Sequence, residues 1–264
     1  MAITTMDQLV AGFSGAQFID TYEASLTTQA AGNFCSLWKA GGRPGAGGTP
    51  STGSGDVPTN ATAGALPYVN PGSGTGYLGR VALNGTTAGA FLLHDRLVET
   101  SGLSGTSITA QTVNSTAITR TYGSGIDTGC WIEVYTALGS TAATATISYT
   151  NQSSTSGRSG TISIPATAKV GSMYPMSLQS GDTGVLSVQT VTLSISTGTA
   201  GNFGITLMQR ICQIPLILGN TGIVLDYAGL GLPVIQNNAC LFPVILATAT
   251  STGIFVAEYT FISG

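Results

Sequence analysis

The chain's only histidine, His94, lies in FLLHDRLVE, residues 91–99, beside Asp95, Arg96 and Glu99. These residue types serve general acid–base and nucleophilic catalysis, and here they are grouped in a protein that otherwise hardly uses charge. A serine hydrolase needs a serine, a histidine base and a carboxylate, so any such site must use His94. At strand spacing, however, His94 and its neighbour Asp95 point to opposite faces and make no dyad. No G-x-S-x-G supplies a nucleophile elbow. His94 and Arg96 share one face and Asp95 the other, so the expected role of His94, Asp95, Arg96 and Glu99 is ion pairing across strands or between subunits.

Other chemistry has less to build on. A two-carboxylate glycosidase could draw on Asp95, Glu99, Asp127, Glu133, Asp182, Asp226 and Glu258, but nothing in their spacing picks a pair. Surface or ion-pair carboxylates are the plain expectation. No run of Asp and Asn resembles a calcium loop, and GGRPGAGG (41–48) lacks the lysine of a phosphate loop. Cys35, Cys130, Cys212 and Cys240 are far apart, with no C-x-x-C, and read as small buried thiols. No metal or cofactor is expected. The N-x-S/T matches at Asn60, Asn84, Asn114 and Asn151 are discounted, because so much Ser and Thr produces them by chance. Carbohydrate binding stays open as the second reading: Trp38, Trp131 or a tyrosine could offer a stacking face, although CWIEVY around Trp131 reads as core.

The elements that would position these residues follow from composition and periodicity. At 264 residues the chain can form one main domain with a sizeable core. Only 7% of residues are charged, against about 25% in an ordinary soluble protein, and Ser plus Thr make up roughly a quarter of the chain. With 42% hydrophobic residues, a mean hydropathy of +0.32 and a net charge of -3, it should fold. Its two lysines and six arginines are scattered, so no nucleic-acid partner is expected. MAITTMDQLVAG lacks the basic and apolar regions of a signal peptide, and no stretch approaches about 18 uninterrupted apolar residues. The expectation is a soluble protein made inside the cell, with no membrane partner.

Thr5 and Gln8 have capping-box spacing, and Leu9, Val10, Phe13 and Ala16 recur at helical intervals, which predicts an N-terminal helix. Phe18, Ile19, Tyr22 and Leu26 keep that spacing and predict a further helical turn or two. Such a helix could cap the core or reach a neighbouring subunit. Residues 38–77, dominated by Gly, Pro, Ser, Thr and Ala, read as a flexible loop or as an extended arm laid over a neighbour, with Trp38, Leu66 and Tyr68 as candidate anchors. From Tyr77 onward, β-branched and aromatic runs separated by Gly, Asn and Ser predict about ten strands. The fold class is mainly β, an antiparallel β-sandwich or jelly roll, with residues 1–76 as helix and arm and 77–264 as the body. Ser and Thr at alternate strand positions, as in SVQTVTLSIST, give an uncharged face that is cheap to desolvate against a partner.

Three stretches, FCSLWKAGGRPGAGGTP (34–50), GYLGRVALNGTTAGAFLLHDRLVETSGLSGT (76–106) and ISYTNQSSTSGRSGTISIPA (147–166), resemble structural proteins of tailed bacteriophages. The resemblance covers about half the chain and rests on phrases rather than on a catalytic motif. It implies a head decoration (cement) protein: a non-enzymatic β-sandwich or jelly roll that sits on the capsid exterior as a homo-oligomer, with a trimer as the expected form, and bridges copies of the major capsid protein. A tail or other virion role stays open. The resemblance transfers no individual binding residue.

Overall fold

The computed structural model describes residues 2–26, 29–52, 55–113, 115–123, 127–248, 250 and 253–264; Asn114 lies outside them. The chain is mainly β, with antiparallel sheets stacked in layers and one short N-terminal helix, as its pattern predicts. Helix α1 (Met6–Ser14) starts at the Thr5–Gln8 capping box. It buries Leu9 against Tyr77 and Ile262, with Phe13 packed alongside, and leaves Met6 and Val10 in solvent.

The expected second helical stretch is instead a strand, β1 (Gln17–Ala24). Its burial alternates, with Ile19, Thr21 and Glu23 inward, and it pairs along its whole length with the last strand, β16 (Ile254–Ser263). Phe18 and Tyr22 fit both periods, and sheet pairing decided between them. The remaining strands are β2 (Phe34–Ser36), β3 (Gly42–Arg43), β4 (Gly76–Gly85), β5 (Gly89–Glu99), β6 (Gln111–Thr112), β7 (Gly129–Thr136), β8 (Ala143–Asn151) and β9 (Arg158–Ile164), followed by β10 (Ser172–Pro175), β11 (Val185–Leu193), β12 (Asn202–Leu216), β13 (Thr221–Leu225), β14 (Val234–Ile235) and β15 (Leu241–Ala247). One further helical turn, α2 (Tyr227–Leu230), is N-capped by Asp226.

These strands form three layers. β13, β4, β16, β1 and β3 make one open sheet, with β14 beside β4, and β6, β11, β8 and β9 make another. Between them β10, β2, β15, β5, β12 and β7 close into a barrel. Alternation along the barrel strands builds three cores. Odd positions such as Phe91 and Leu93 pack outward against Val81, Leu83 and Tyr259 of the first sheet. On the other side Ile132, Val134, Ile205 and Leu207 pack against Ile147, Ile162 and Val191. The barrel interior holds a third cluster, including Leu92, Met173, Met208, Phe242 and Val244. A barrel this narrow is filled by its own side chains.

The first 76 residues are not an arm reaching away from a body. β1 lies inside the first sheet, β2 completes the barrel, and the segment between β2 and β4 is strapped over its own chain. Leu66 donates its amide to the Leu241 carbonyl at 2.8 Å, and Tyr68 packs on Phe261 with ring centroids 5.0 Å apart. Gln17 holds Val69 at both its carbonyl and its amide, at 2.6 and 3.0 Å. Trp38 is only 1% exposed, and its Nε1 donates to the Gly48 carbonyl at 3.1 Å. Trp38, Leu66 and Tyr68 are therefore buried in their own chain rather than offered to a neighbour. The low-complexity sequence hides this because the strap covers an indole face with bare backbone: a Cβ on Gly47 would lie 2.4 Å from Trp38 Cε2, and one on Gly64 2.6 Å from Gly47 Cα. Chemical denaturation should show Trp38→Ala costing about 3–5 kcal/mol and Gly47→Ala about 1–3 kcal/mol. A neutral Gly47→Ala would mean that the strap is not seated on the ring.

Candidate functional site

The charged stretch lies on β5, and the structure divides it three ways. Arg96 points into the barrel with no exposed surface. Its Nη2 donates to Glu133 Oε2 at 2.6 Å and to the Tyr135 hydroxyl at 2.8 Å, and its Nε pairs with Glu99 Oε2. The Tyr135 and Thr206 hydroxyls donate to the same Glu133 oxygen at 3.0 and 2.9 Å, and Ser36 supports Glu133 from β2. The Arg96 guanidinium carbon lies 4.5 Å from the Trp38 ring centroid and 5.1 Å from that of Phe242, so both rings face the cation. Burial alone would raise the pKa of Glu133, but Arg96 and the hydroxyl donors hold it below the usual carboxylate range. At Glu99 burial and the nearby Glu133 charge outweigh Arg96, and its pKa is raised.

Asp95 projects from the opposite face of β5, as strand alternation requires. It accepts from Arg120 Nε and Nη2 at 3.1 and 3.0 Å, from the Tyr122 hydroxyl at 3.0 Å and from the Cys240 amide at 2.8 Å. Arg120 also reaches the Arg96 carbonyl at 2.8 Å, tying the two pins together through the strand. Sequence reasoning missed Arg120 and Tyr122, whose loop carries no pattern that points to Asp95. Glu133 had a signal: a lone acid in CWIEVY alternates with Trp131 and Tyr135, so all three share a face.

His94 belongs to neither ion pair, which corrects its place in the expected cluster. Its ring packs against Trp131 and Phe242, with centroids 6.4 and 6.1 Å away. Burial first, and then the Arg210 charge, lower its pKa to about 3, so the imidazole is neutral at ordinary pH.

The ring borders a cavity of about 720 Å³ at the open end of the barrel. All six barrel strands contribute to its wall, through Phe34, Leu92, Trp131, Pro175, Met208 and Leu246. Along β5 the lining runs Ala90, Leu92, His94 and then stops, so Arg96 and Glu99 lie beyond the cavity. One end of the barrel is open and the other is plugged by an ion network under Trp38.

The other carboxylates named above are placed just as specifically. Asp182 takes Arg158 in two contacts, at 2.8 and 2.9 Å, together with Tyr149 and Asn151, and is lowered to about 2, chiefly by Arg158. Glu258 pairs with Arg80 at 2.5 Å across the first sheet, and Asp226 caps α2. Asp127 lines the open cavity. The four cysteines are buried and free, and burial pushes the Cys35 and Cys212 thiols up to about 12. Among the described residues no group of three or more His, Cys, Asp or Glu could hold a metal, and no helix is long and apolar enough to cross a membrane.

No family model and no curated protein matches the chain. Among solved structures, alignments were found to the VP2 subviral particle of infectious bursal disease virus, at 9% identity over 94% of this chain and 80% of that one with a TM-score of 0.20. The structure of the Gx strain of the same virus aligns with the same coverage, identity and TM-score. At that TM-score the likeness carries no argument about architecture or role.

Arg96→Ala strands two buried carboxylates and should cost about 3–5 kcal/mol in chemical denaturation. Replacing the group together, as Arg96→Met with Glu99→Gln and Glu133→Gln, should recover much of that loss; equal losses would show that the charges are not coupled. The neutral His94 makes a separate pH prediction. Unfolded histidine takes its proton near pH 6.5 and the folded one only near 3, so stability is lost as pH falls between those values, by up to about 1.4 kcal/mol per unit. His94→Phe should remove that component, seen as a pH-dependent difference in stability from the parent. A difference that stays constant from pH 7 to 4 would contradict a buried neutral imidazole.

Proposed function

We propose that this chain is a non-enzymatic virion structural protein of a tailed bacteriophage, which binds the capsid exterior as a homo-oligomer and bridges neighbouring copies of the major capsid protein. The observation that carries the reading is the outer face of the first sheet. There Phe18 and Tyr22 of β1, Val256 of β16 and Val224 of β13 are about half exposed or more, at 65, 48, 49 and 55%. Tyr22 lies directly opposite Val256. Met6 and Val10 of α1 add further exposed apolar surface. Contiguous apolar surface on a soluble protein commonly marks an interaction site. The charge on this face is confined to Asp20, the Arg80–Glu258 pair and Arg43, which lies opposite Tyr22 at the β3 edge, so covering its centre desolvates few ions.

Two further facts agree with that reading. The sequence stretches that resemble phage structural proteins fall on β2, β3, β4, β5, β8 and β9, elements of the layered body itself. Most of the carboxylates that could have served catalysis are tied to arginines or to a helix cap. A lattice protein needs no turnover: weak apolar and hydrogen-bonded contacts, repeated over many subunits, add up to firm attachment.

The test is occupancy on particles. Adding Phe18→Asp, Tyr22→Asp and Val256→Asp together should lower the amount of protein that cosediments with capsids by about tenfold or more, while the melting temperature stays within a few degrees of the parent. Undiminished occupancy would remove this face from the interface. A particle reconstruction should place the chain on the head exterior; density on the tail would redirect the assignment to another virion role.

A further inference from the structure

Three polar groups lining the open end of the barrel are left unmet by the fold. His94 Nδ1, Thr128 Oγ1 and Gln209 Oε1 are buried atoms with no hydrogen-bond partner within normal geometry among the described residues, and all three residues line the same cavity. His94 and Thr128 are only 2 and 1% exposed. Unmet buried polar atoms are costly, and native structures carry few of them. At the plugged end of the barrel Glu133 gathers donors from Arg96, Tyr135 and Thr206, although Arg96 Nη1 is itself left without a partner there. Three unmet groups around one cavity are what a site looks like before its ligand arrives.

The chemistry of the three groups restricts that ligand. The Gln209 oxygen only accepts, the neutral His94 nitrogen accepts or donates according to tautomer, and the Thr128 hydroxyl does both. A ligand must therefore bring at least one donor for Gln209, which a fully ionised carboxylate or phosphate lacks, and hydroxyls can serve all three groups. The imidazole is held neutral by its burial, so the deep part of the cavity offers no cation to an anion. Arg210, the cation on the cavity wall, is exposed and is engaged with Gln213 at 3.3 Å. Asp127 adds a further acceptor for hydroxyl groups. The remaining wall is apolar and aromatic, with Trp131 and Phe34 packed edge to face at 4.9 Å. At about 720 Å³ the cavity has the size usual for small-molecule sites.

We propose that the open end of the barrel binds a neutral sugar unit, whose hydroxyls meet His94, Thr128 and Gln209 while its apolar face lies against Trp131. This does not depend on the capsid role proposed above, since the cavity opens at the barrel end and the exposed apolar face belongs to the first sheet. The sugar could be free or could be the end of a surface glycan; the recognition chemistry is the same.

The full chain can be titrated with a panel of neutral mono- and disaccharides while tryptophan fluorescence is followed. Trp131 reports the cavity, whereas Trp38 is shielded beneath its glycine strap. A saturable change is expected with at least one sugar. Gln209→Leu and Thr128→Val should each weaken it by about tenfold while leaving the melting temperature unchanged or slightly higher, because each removes an unmet polar group. Groups that merely held the fold together would behave the other way, with the melting temperature falling in each variant. No saturable response to any neutral sugar would overturn the proposal. So would a response that both variants leave intact, or one matched by cyclohexanol or by anionic sugars. A glycan array run beside the titration separates the sources: signal on immobilised chains assigns the site to surface glycans, and binding of free sugars alone assigns it to a soluble ligand.

Discussion

Arg96 sits inside a closed barrel with no contact with water, and a charge in that position must be met by the strands that enclose it. Glu133 and Tyr135 of β7, Thr206 of β12 and Ser36 of β2 are brought together around it. Each of those side chains faces inward only if its strand is in register, because a one-residue slip would turn it outward. The ion network therefore ties four barrel strands to one register. It also explains the strap. Trp38 covers the guanidinium, the glycines of 47 and 64 cover Trp38, and a segment with no periodicity of its own becomes ordered.

The two sheets flanking the barrel follow from the same alternation. Inward positions are committed to the ion network, the central cluster and the cavity, so outward positions are left to build two more cores against the open sheets. A barrel clad on both sides has only its ends for access. One end is stopped by Arg96 and Trp38, and the other remains open at His94. The same strand β5 thus carries the cavity lining at Ala90, Leu92 and His94 and a structural pin at Arg96, the next inward position.

The surface is the complement of this interior. A chain with so few charges spends several of them in buried or half-buried pairs, and little is left to coat the outside. Ser and Thr cover much of the remainder, while Phe18, Tyr22 and Val256 stand out from the first sheet.

The sequence by itself determined the class of this protein and several of its elements. Period-two runs such as CWIEVYTAL, TATISYT and the stretch from Gly253 became β7, β8 and β16, and the Thr5–Gln8 box began helix α1. These signals are local, since burial on one face and a satisfied helix end are written into neighbouring residues. The alternation of His94, Asp95 and Arg96 was legible for the same reason. What only the tertiary structure decided was every choice that depends on a distant partner. Phe18–Tyr22 became a strand because β16 was there to pair with it. The strap lay down because an indole needed covering. Arg96 found Glu133 and Asp95 found Arg120 across gaps that no spacing rule spans. Above all, closure of the barrel, and with it the cavity beside His94, rests on β10 meeting β2 and on β2 meeting β15. Those pairings join segments more than a hundred residues apart, and they are selected by the free energy of the assembled core rather than by any stretch of chain.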